Sequence, residues 1–228
     1  MSVYEQIFKK YGLSPTQQKI LEIVGKGKKV LEIGSSTGYM TRAFLEQGCI
    51  VDVVEFNKQA VTKLPKNVRK IFDTSIEDSE IYKKLGDYEF IVMADVLEHL
   101  VRPEKVLKGL ARIASSNTKL LISLPNIASW VMRKQLFFRG DFQYQESGLL
   151  DKTHLHFYTV NTLTKLLSKN GWKVGTVIGT ITQLPFEGLI SKIPVFGWIF
   201  KKTLYQKLVD RYRNLAYYHF LVVALQNE

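Results

Sequence analysis

Val30-Leu31-Glu32-Ile33-Gly34-Ser35-Ser36-Thr37-Gly38 decides how this chain folds. Lys29 to Ile33 is a short apolar run of the kind buried on both faces of a parallel sheet. Gly34 to Gly38 reads as a tight turn, and Tyr39 to about Gln47 as a helix stopped by Gly48. Outward from this unit the alternation repeats. Ile50 to Phe56 is a valine-rich second strand, and Asn57 caps a helix that must stop before Pro65. Val68 to Phe72 and Tyr88 to Ala94 are further strands, with Ser79 to Leu85 helical between them. Pro103 starts a helix whose Val106, Leu107, Leu110 and Ile113 fall at helical spacing, and Lys119 to Leu124 is a fifth strand. Strands alternating with helices predict an α/β fold, a parallel sheet with right-handed crossovers.

The flanks are simpler. Residues 1–26 form an N-terminal helical extension, in which Ser14-Pro15-Thr16-Gln17 carries a capping box and a proline at the first helical position. Residues 126–158 are a long aromatic and basic insertion. Thr159 to Asn170 is a capped helix, and Trp172 to Ile178 and His219 to Leu225 are closing strands. Residues 180–217, too long for a hairpin turn, are a basic aromatic insertion between them. The whole chain, 1–228, reads as one domain.

Composition excludes several classes. With 46% hydrophobic and 23% charged residues the chain is not disordered as a whole. Cys49 is the single cysteine, which excludes an intrachain disulfide and a cysteine-based zinc site. The net charge of +11 admits a nucleic acid, an anionic membrane surface or an acidic substrate, and selects none. No apolar run matches a signal peptide or a spanning helix. The expectation is a cytoplasmic protein, with a peripheral position at the inner membrane face as a variant of it.

A strand, a glycine loop, a helix and a second strand ending in Glu55 describe a nucleotide-type crevice at the carboxyl ends of the strands. A carboxylate there can accept two hydrogen bonds from a ribose diol. Dinucleotides and S-adenosylmethionine both suit this frame. The loop separates them: Gly34-x-x-x-Gly38 has Ser36 where a dinucleotide fingerprint needs its middle glycine. Glu32 would repel a pyrophosphate and suits a methionyl ammonium, directly or through a water.

Val30 to Gly38 resembles motif I of the class I S-adenosylmethionine-dependent methyltransferases. Ala94-Asp95-Val96-Leu97-Glu98-His99-Leu100 resembles their motif IV, in the form found in ubiquinone-biosynthesis O-methyltransferases. Ser123-Leu124-Pro125-Asn126 resembles the end of their fifth strand. Gly148 to Thr159 resembles a segment common in bacterial methyltransferases of that group, some of them encoded with polysaccharide-biosynthesis genes. The resemblance implies a Rossmann-like, mostly parallel seven-stranded sheet of order 3214576, strand seven antiparallel, with helices on both faces. It implies that Glu32, Gly34, Ser35 and Gly38 line the methionyl end of the cofactor and that Glu55 and Phe56 line the ribose. Asp73 or Ser75 would approach the adenine, Ile76 would pack on it, and Ala94 and Asp95 would lie near the transferable methyl. The family's third-strand acid has no clean match.

A hydroxyl acceptor needs a base with a pKa near neutral, which favours histidine. His154 and His156 are two apart and share a face of an extended segment, with Asp151 to orient one of them. They are the candidate catalytic residues; the plainer reading is an edge segment bracing the next helix. His219, in a closing strand, reads as structural. Asp95, Glu98 and His99 fall on one helical turn, and the resembled O-methyltransferases carry such a group implicated in magnesium binding; the plainer reading, which we favour here, is that no metal is held and the group braces the loop before Pro103. Trp130, Arg133, Lys134, Phe137, Phe138, Arg139, Phe142 and Tyr144 read as an acceptor wall or a satellite helix. Residues 185–205 read as a lid, a membrane contact or a second core.

The leading expectation is O-methylation of a small molecule, a sugar or a lipid-linked glycan. An NAD(P)-dependent oxidoreductase is opposed by Glu32 and Ser36. An RNA-binding or RNA-methylating module is opposed by Leu124-Pro125-Asn126, which is not the proline-aromatic pocket used on base amino groups. A catalytically silent ligand-binding protein is the remaining class.

Overall fold

The computed structural model describes residues 3–181, 207, 209 and 211–227. Two helices, α1 (Val3–Tyr11) and α2 (Pro15–Val24), precede β1 (Lys29–Ile33). Then follow α3 (Tyr39–Glu46), β2 (Ile50–Val54), α4 (Lys58–Val61), β3 (Lys70–Phe72) and β4 (Phe90–Ala94). The chain continues through α5 (Pro103–Ile113), β5 (Lys119–Pro125), α6 (Trp130–Arg139), α7 (Val160–Lys169) and β6 (Trp172–Ile181). It closes with α8 (Arg213–Ala216) and β7 (Tyr217–Gln226). The seven strands lie in the order β3-β2-β1-β4-β5-β7-β6. The first five are parallel, and β7 runs antiparallel to both β5 and β6. This is the order that the resemblance implied.

Adjacent residues of each apolar run point to opposite faces of the sheet. Leu31, Ile33, Ile91, Met93, Leu120 and Ile122 join one core, with Leu107, Leu163 and Trp172 from the covering helices and β6. Val30, Val51, Val53, Phe90, Val92 and Leu121 join the other, under Ile20 and Val24 of α2 and Met40 and Phe44 of α3. Each such side chain, fully withdrawn from water, contributes roughly 1.5–3 kcal/mol before entropy is charged against it. The N-terminal extension is therefore part of the core. Its start is fixed by the expected box: Gln17 N–H donates to Ser14 Oγ at 3.2 Å, and Ser14 N–H donates to Gln17 Oε1 at 2.9 Å.

Several elements differ in extent from the sequence reading. The third strand is only three residues long, and Ser79–Lys83 is a 3-10 turn rather than an α-helix. The closing strands run ten residues each, because they pair with one another almost to the ends of β6 and β7. Residues 185–205, read as lid, membrane contact or core, lie outside the described residues. Among the described residues no helix is long and apolar enough to cross a membrane.

Candidate active site

The strand order reverses between β1 and β4, and a crevice opens beyond their carboxyl ends. It encloses about 670 Å³. Seven of the eleven expected cofactor residues form its wall: Gly34, Glu55, Phe56, Ser75, Ile76, Ala94 and Asp95. Ser36, Tyr39, Gln17, Asn57, His99 and Thr153 complete it with others. A second cavity, of about 730 Å³ and lined by Arg133, Arg211 and Arg213 among others, carries none of the expected residues.

The loop after β1 has little conformational choice. Gly34 has φ +72°, and a Cβ there would come 2.6 Å from Val96 Cγ2. Gly38, at φ +76°, would meet Leu64 Cδ2 at 2.8 Å. Ser36 and Asp95 are the two non-glycine residues with positive φ, at 51° and 57°, among the described residues. Both are on the crevice wall. Such strain, of order 1–3 kcal/mol each, persists where the surroundings over-determine it.

Glu55 is buried at the tip of β2, with one carboxylate oxygen accepting from Ser36 N–H at 2.8 Å and the other from Asn57 N–H at 2.9 Å. A carboxylate has about four acceptor positions, so two remain after these bonds. Next to it Phe56 is 72% exposed, an apolar ring waiting on the wall. The wall is closed on the other side by α2 and α3: Gln17 Nε2 donates to Tyr39 Oη at 3.5 Å, and Phe8 of α1 stacks on Tyr39 with centroids 5.0 Å apart.

Four of the expected cofactor residues are not on the wall. Glu32 is buried and accepts from Thr41 Oγ1 at 2.6 Å, so its carboxylate engages α3 rather than the crevice surface. Burial, opposed by the Thr41 bond and aided by the charge of Glu55, raises its pKa to about 7. Ser35 is buried, Gly38 turns the loop into α3, and Asp73 is exposed and not among the lining residues. Of the adenine-side candidates Ser75 and Ile76 remain.

The histidines are redistributed more drastically. His154 is buried, with Nδ1 3.2 Å from Leu149 O, and is absent from the crevice wall. Burial and the neighbouring His99 lower its pKa. His156 packs towards Tyr158, also off the wall. Asp151 accepts from Thr153 N–H and Oγ1, at 2.8 and 2.7 Å, which shapes a turn. The three residues of the expected base constellation thus contact residues of the 148–158 segment and are not among the crevice-lining residues. Besides His99, which is itself on the wall, His219 reaches the crevice through Asp95: its Nε2 lies 2.7 Å from Asp95 Oδ1. Ser123 Oγ donates to the same oxygen at 3.2 Å, and His219 Nδ1 lies 3.1 Å from Thr16 Oγ1. Sequence reasoning read His219 as structural and did not bring it to Asp95. The signal available was its position at the end of a closing strand beside β5, but the register opposite Pro125 is a tertiary fact.

The Asp95-Glu98-His99 group does not assemble as a magnesium site. Asp95 is taken up by His219 and Ser123, whereas Glu98 and His99 meet His154, with one ligand atom of each within 4.8 Å of the others. One carboxylate with two imidazoles is a poor set for magnesium, which demands octahedral oxygen ligation.

The model of a family described as "Methyltransferase domain" matches residues 5–177. A ubiquinone biosynthesis O-methyltransferase of Coxiella burnetii is 28% identical over 121 residues, 50% of this chain and 51% of that protein. The chain spans about half the length of the curated relatives it matches. Among solved structures, an S-adenosylmethionine-dependent methyltransferase from Archaeoglobus fulgidus superposes with a TM-score of 0.67 at 17% identity, covering 99% of this chain and 100% of that one. The N-methyltransferase NodS of Bradyrhizobium japonicum, solved with S-adenosyl-L-homocysteine, gives 0.57 at 13% identity over 94% and 88%. At these identities the structural matches speak to the fold.

Proposed function

The chain belongs to the methyltransferase-domain family, and we propose that it transfers the methyl group of S-adenosylmethionine to a hydroxyl of a small molecule, sugar or lipid-linked glycan. The observation that carries the reading is Glu55, buried on the crevice wall beside the exposed ring of Phe56 and tied by Ser36 N–H to the glycine loop. Its two remaining acceptor positions suit a ribose diol. Phe56 and Ile76 offer apolar surface to an adenine, and the strained Ser36 turn lets backbone approach the methionyl end. The solved structure of a neighbour with S-adenosyl-L-homocysteine and the curated O-methyltransferase relative support the same donor. When bound, that donor supplies an electrophilic methyl on a sulfonium.

The protein's own part is to hold two reactants in line, worth up to ~7–11 kcal/mol in ideal geometry, and to accept a proton. Asp95 and His219 are the group for the second task. Asp95 is on the wall, and His219 sits 2.7 Å behind its Oδ1, so a proton taken at the carboxylate is shared with an imidazole. A magnesium ion has no role in this proposal. Calorimetric titration tests the donor: S-adenosylmethionine and its demethylated product bind, whereas NAD does not. Release of S-adenosylhomocysteine across a panel of metabolites and lipid-linked sugars identifies the acceptor, and release confined to amines or RNA would overturn O-methylation.

A further inference from the structure

The second cavity, of about 730 Å³, shares no described lining residue with the crevice. Three arginines reach it: Arg133 from α6, Arg213 at the first position of α8, and Arg211 just before it. No aspartate or glutamate is among its described lining residues. Nor does any ion pair join these arginines to an acid among the described residues. A guanidinium cannot shed its charge in a protein, so three on one cavity repel one another unless an anion joins them. S-adenosylmethionine carries no phosphate, and the crevice ligand therefore leaves these cations without a counter-charge.

The backbone under the arginines is anchored. Arg133 Nε donates to Ala128 O at 2.8 Å, which orients the guanidinium and leaves its terminal nitrogens for a ligand. Asn214 ties down the segment that carries Arg211 and Arg213. Its Oδ1 accepts from Val160 N–H, at the start of α7, at 2.9 Å. Its carbonyl accepts from Nδ2 of the buried Asn126 at 3.0 Å. Anchoring of this kind lowers the ordering cost of binding.

The strand side of the wall is apolar. Val174 and Val177 of β6 are three apart, a spacing that in a regular strand sends side chains to opposite faces. The register against β7 shifts between Val174 and Thr176, so Gly175 is an extra residue in the ladder and both valines line the cavity. Val160 and Leu215 add apolar surface, and Asn161 brings the first turn of α7, the positive end of that helix, to the same wall.

We infer that this cavity is a binding site for a diphosphate ester. The guanidinium forks hold the phosphoryl oxygens, and the valine and leucine surface holds the esterified organic group. One phosphate monoester brings roughly −1.5 to −2 charges at neutral pH and leaves the three arginines under-matched, whereas a diphosphate matches them. The volume falls in the range of roughly 300–1,000 Å³ that holds a whole small molecule, so the site takes an ester rather than a bare ion.

The full chain is titrated by calorimetry with inorganic pyrophosphate, uridine diphosphate and geranyl diphosphate, each with and without saturating S-adenosylhomocysteine. The expected result is one pyrophosphate per chain, with a Kd that S-adenosylhomocysteine leaves within about twofold and that weakens as sodium chloride is raised. Arg133→Gln, Arg211→Gln and Arg213→Gln each raise that Kd at least ~10-fold. Lys165→Gln, which removes a charge from α7 off the cavity wall, stays within about twofold of the parent. The three arginines are exposed, and any two stand in for one whose variant fails to fold. Tighter binding of either ester than of pyrophosphate supports the apolar wall and tells a nucleotide source from a lipid one. Absence of saturable pyrophosphate binding, competition with S-adenosylhomocysteine, neither ester binding more tightly than pyrophosphate, or an equal loss in Lys165→Gln overturns the proposal. Binding of S-adenosylhomocysteine is read on the same samples, so failure of the methyltransferase reading is a separate result.

Discussion

The two sides of the crevice are built differently. The β1–β2 side comes from a short stretch: Gly34, Ser36, Glu55 and Phe56 lie within 23 positions. The β4–β7 side gathers Asp95 from just past β4, Ser123 from β5 and His219 from β7, with Thr16 of α2 behind them. Local turn chemistry specifies the first, because a glycine at φ +72° and a capped strand end act on their own neighbours. Sheet register specifies the second, because only the β5–β7 pairing brings His219 opposite Pro125 and beside Asp95.

Substitutions can break this contrast. The largest effect belongs to the β4–β7 side: His219→Ala lowers kcat on the order of 100-fold and leaves donor affinity within about twofold. Steady-state rates with donor calorimetry check it; an equal loss in donor binding would mean that His219 merely holds the fold. Glu55→Ala acts on the other side. It raises the donor Kd about 30-fold, near 2 kcal/mol, because it removes charged acceptors for the ligand and for the Ser36 and Asn57 amides.

Glu32 sharpens the comparison through stability. Folded, it keeps its proton to about pH 7; its ordinary value is 4.5. The folded state therefore binds the extra proton between these values, and stability falls as pH rises through that window. Glu32→Gln flattens the dependence, with a relative gain of about 2 kcal/mol between pH 5 and pH 7.5, read by urea unfolding at each pH. The smallest effect is expected for His156→Ala, off the wall with its backbone bond to Glu98 intact: turnover within about twofold of the parent.

Much of the fold was legible in the chain. The runs Val30–Ile33 and Phe90–Ala94 are continuous because both sheet faces are covered, and Ser14 and Asn57 each start a helix through a side-chain cap. The order of the seven strands came from family resemblance rather than from any pattern in the residues, since nothing local states which strand neighbours which.

The amino-acid sequence by itself determined the glycine loop, the Glu55–Phe56 strand end and the exclusion of an intrachain disulfide, all properties of adjacent residues or of composition. Only the tertiary structure decided which histidine meets Asp95, because Asp95 and His219 are 124 positions apart and become neighbours through antiparallel pairing alone. It also turned Glu32 toward Thr41 and set Glu98 beside His154, at 3.8 Å, while Asp95 went to His219. A side chain's partners in a packed interior follow from register and from the cost of leaving a buried charge unmatched, and neither is written in any one segment.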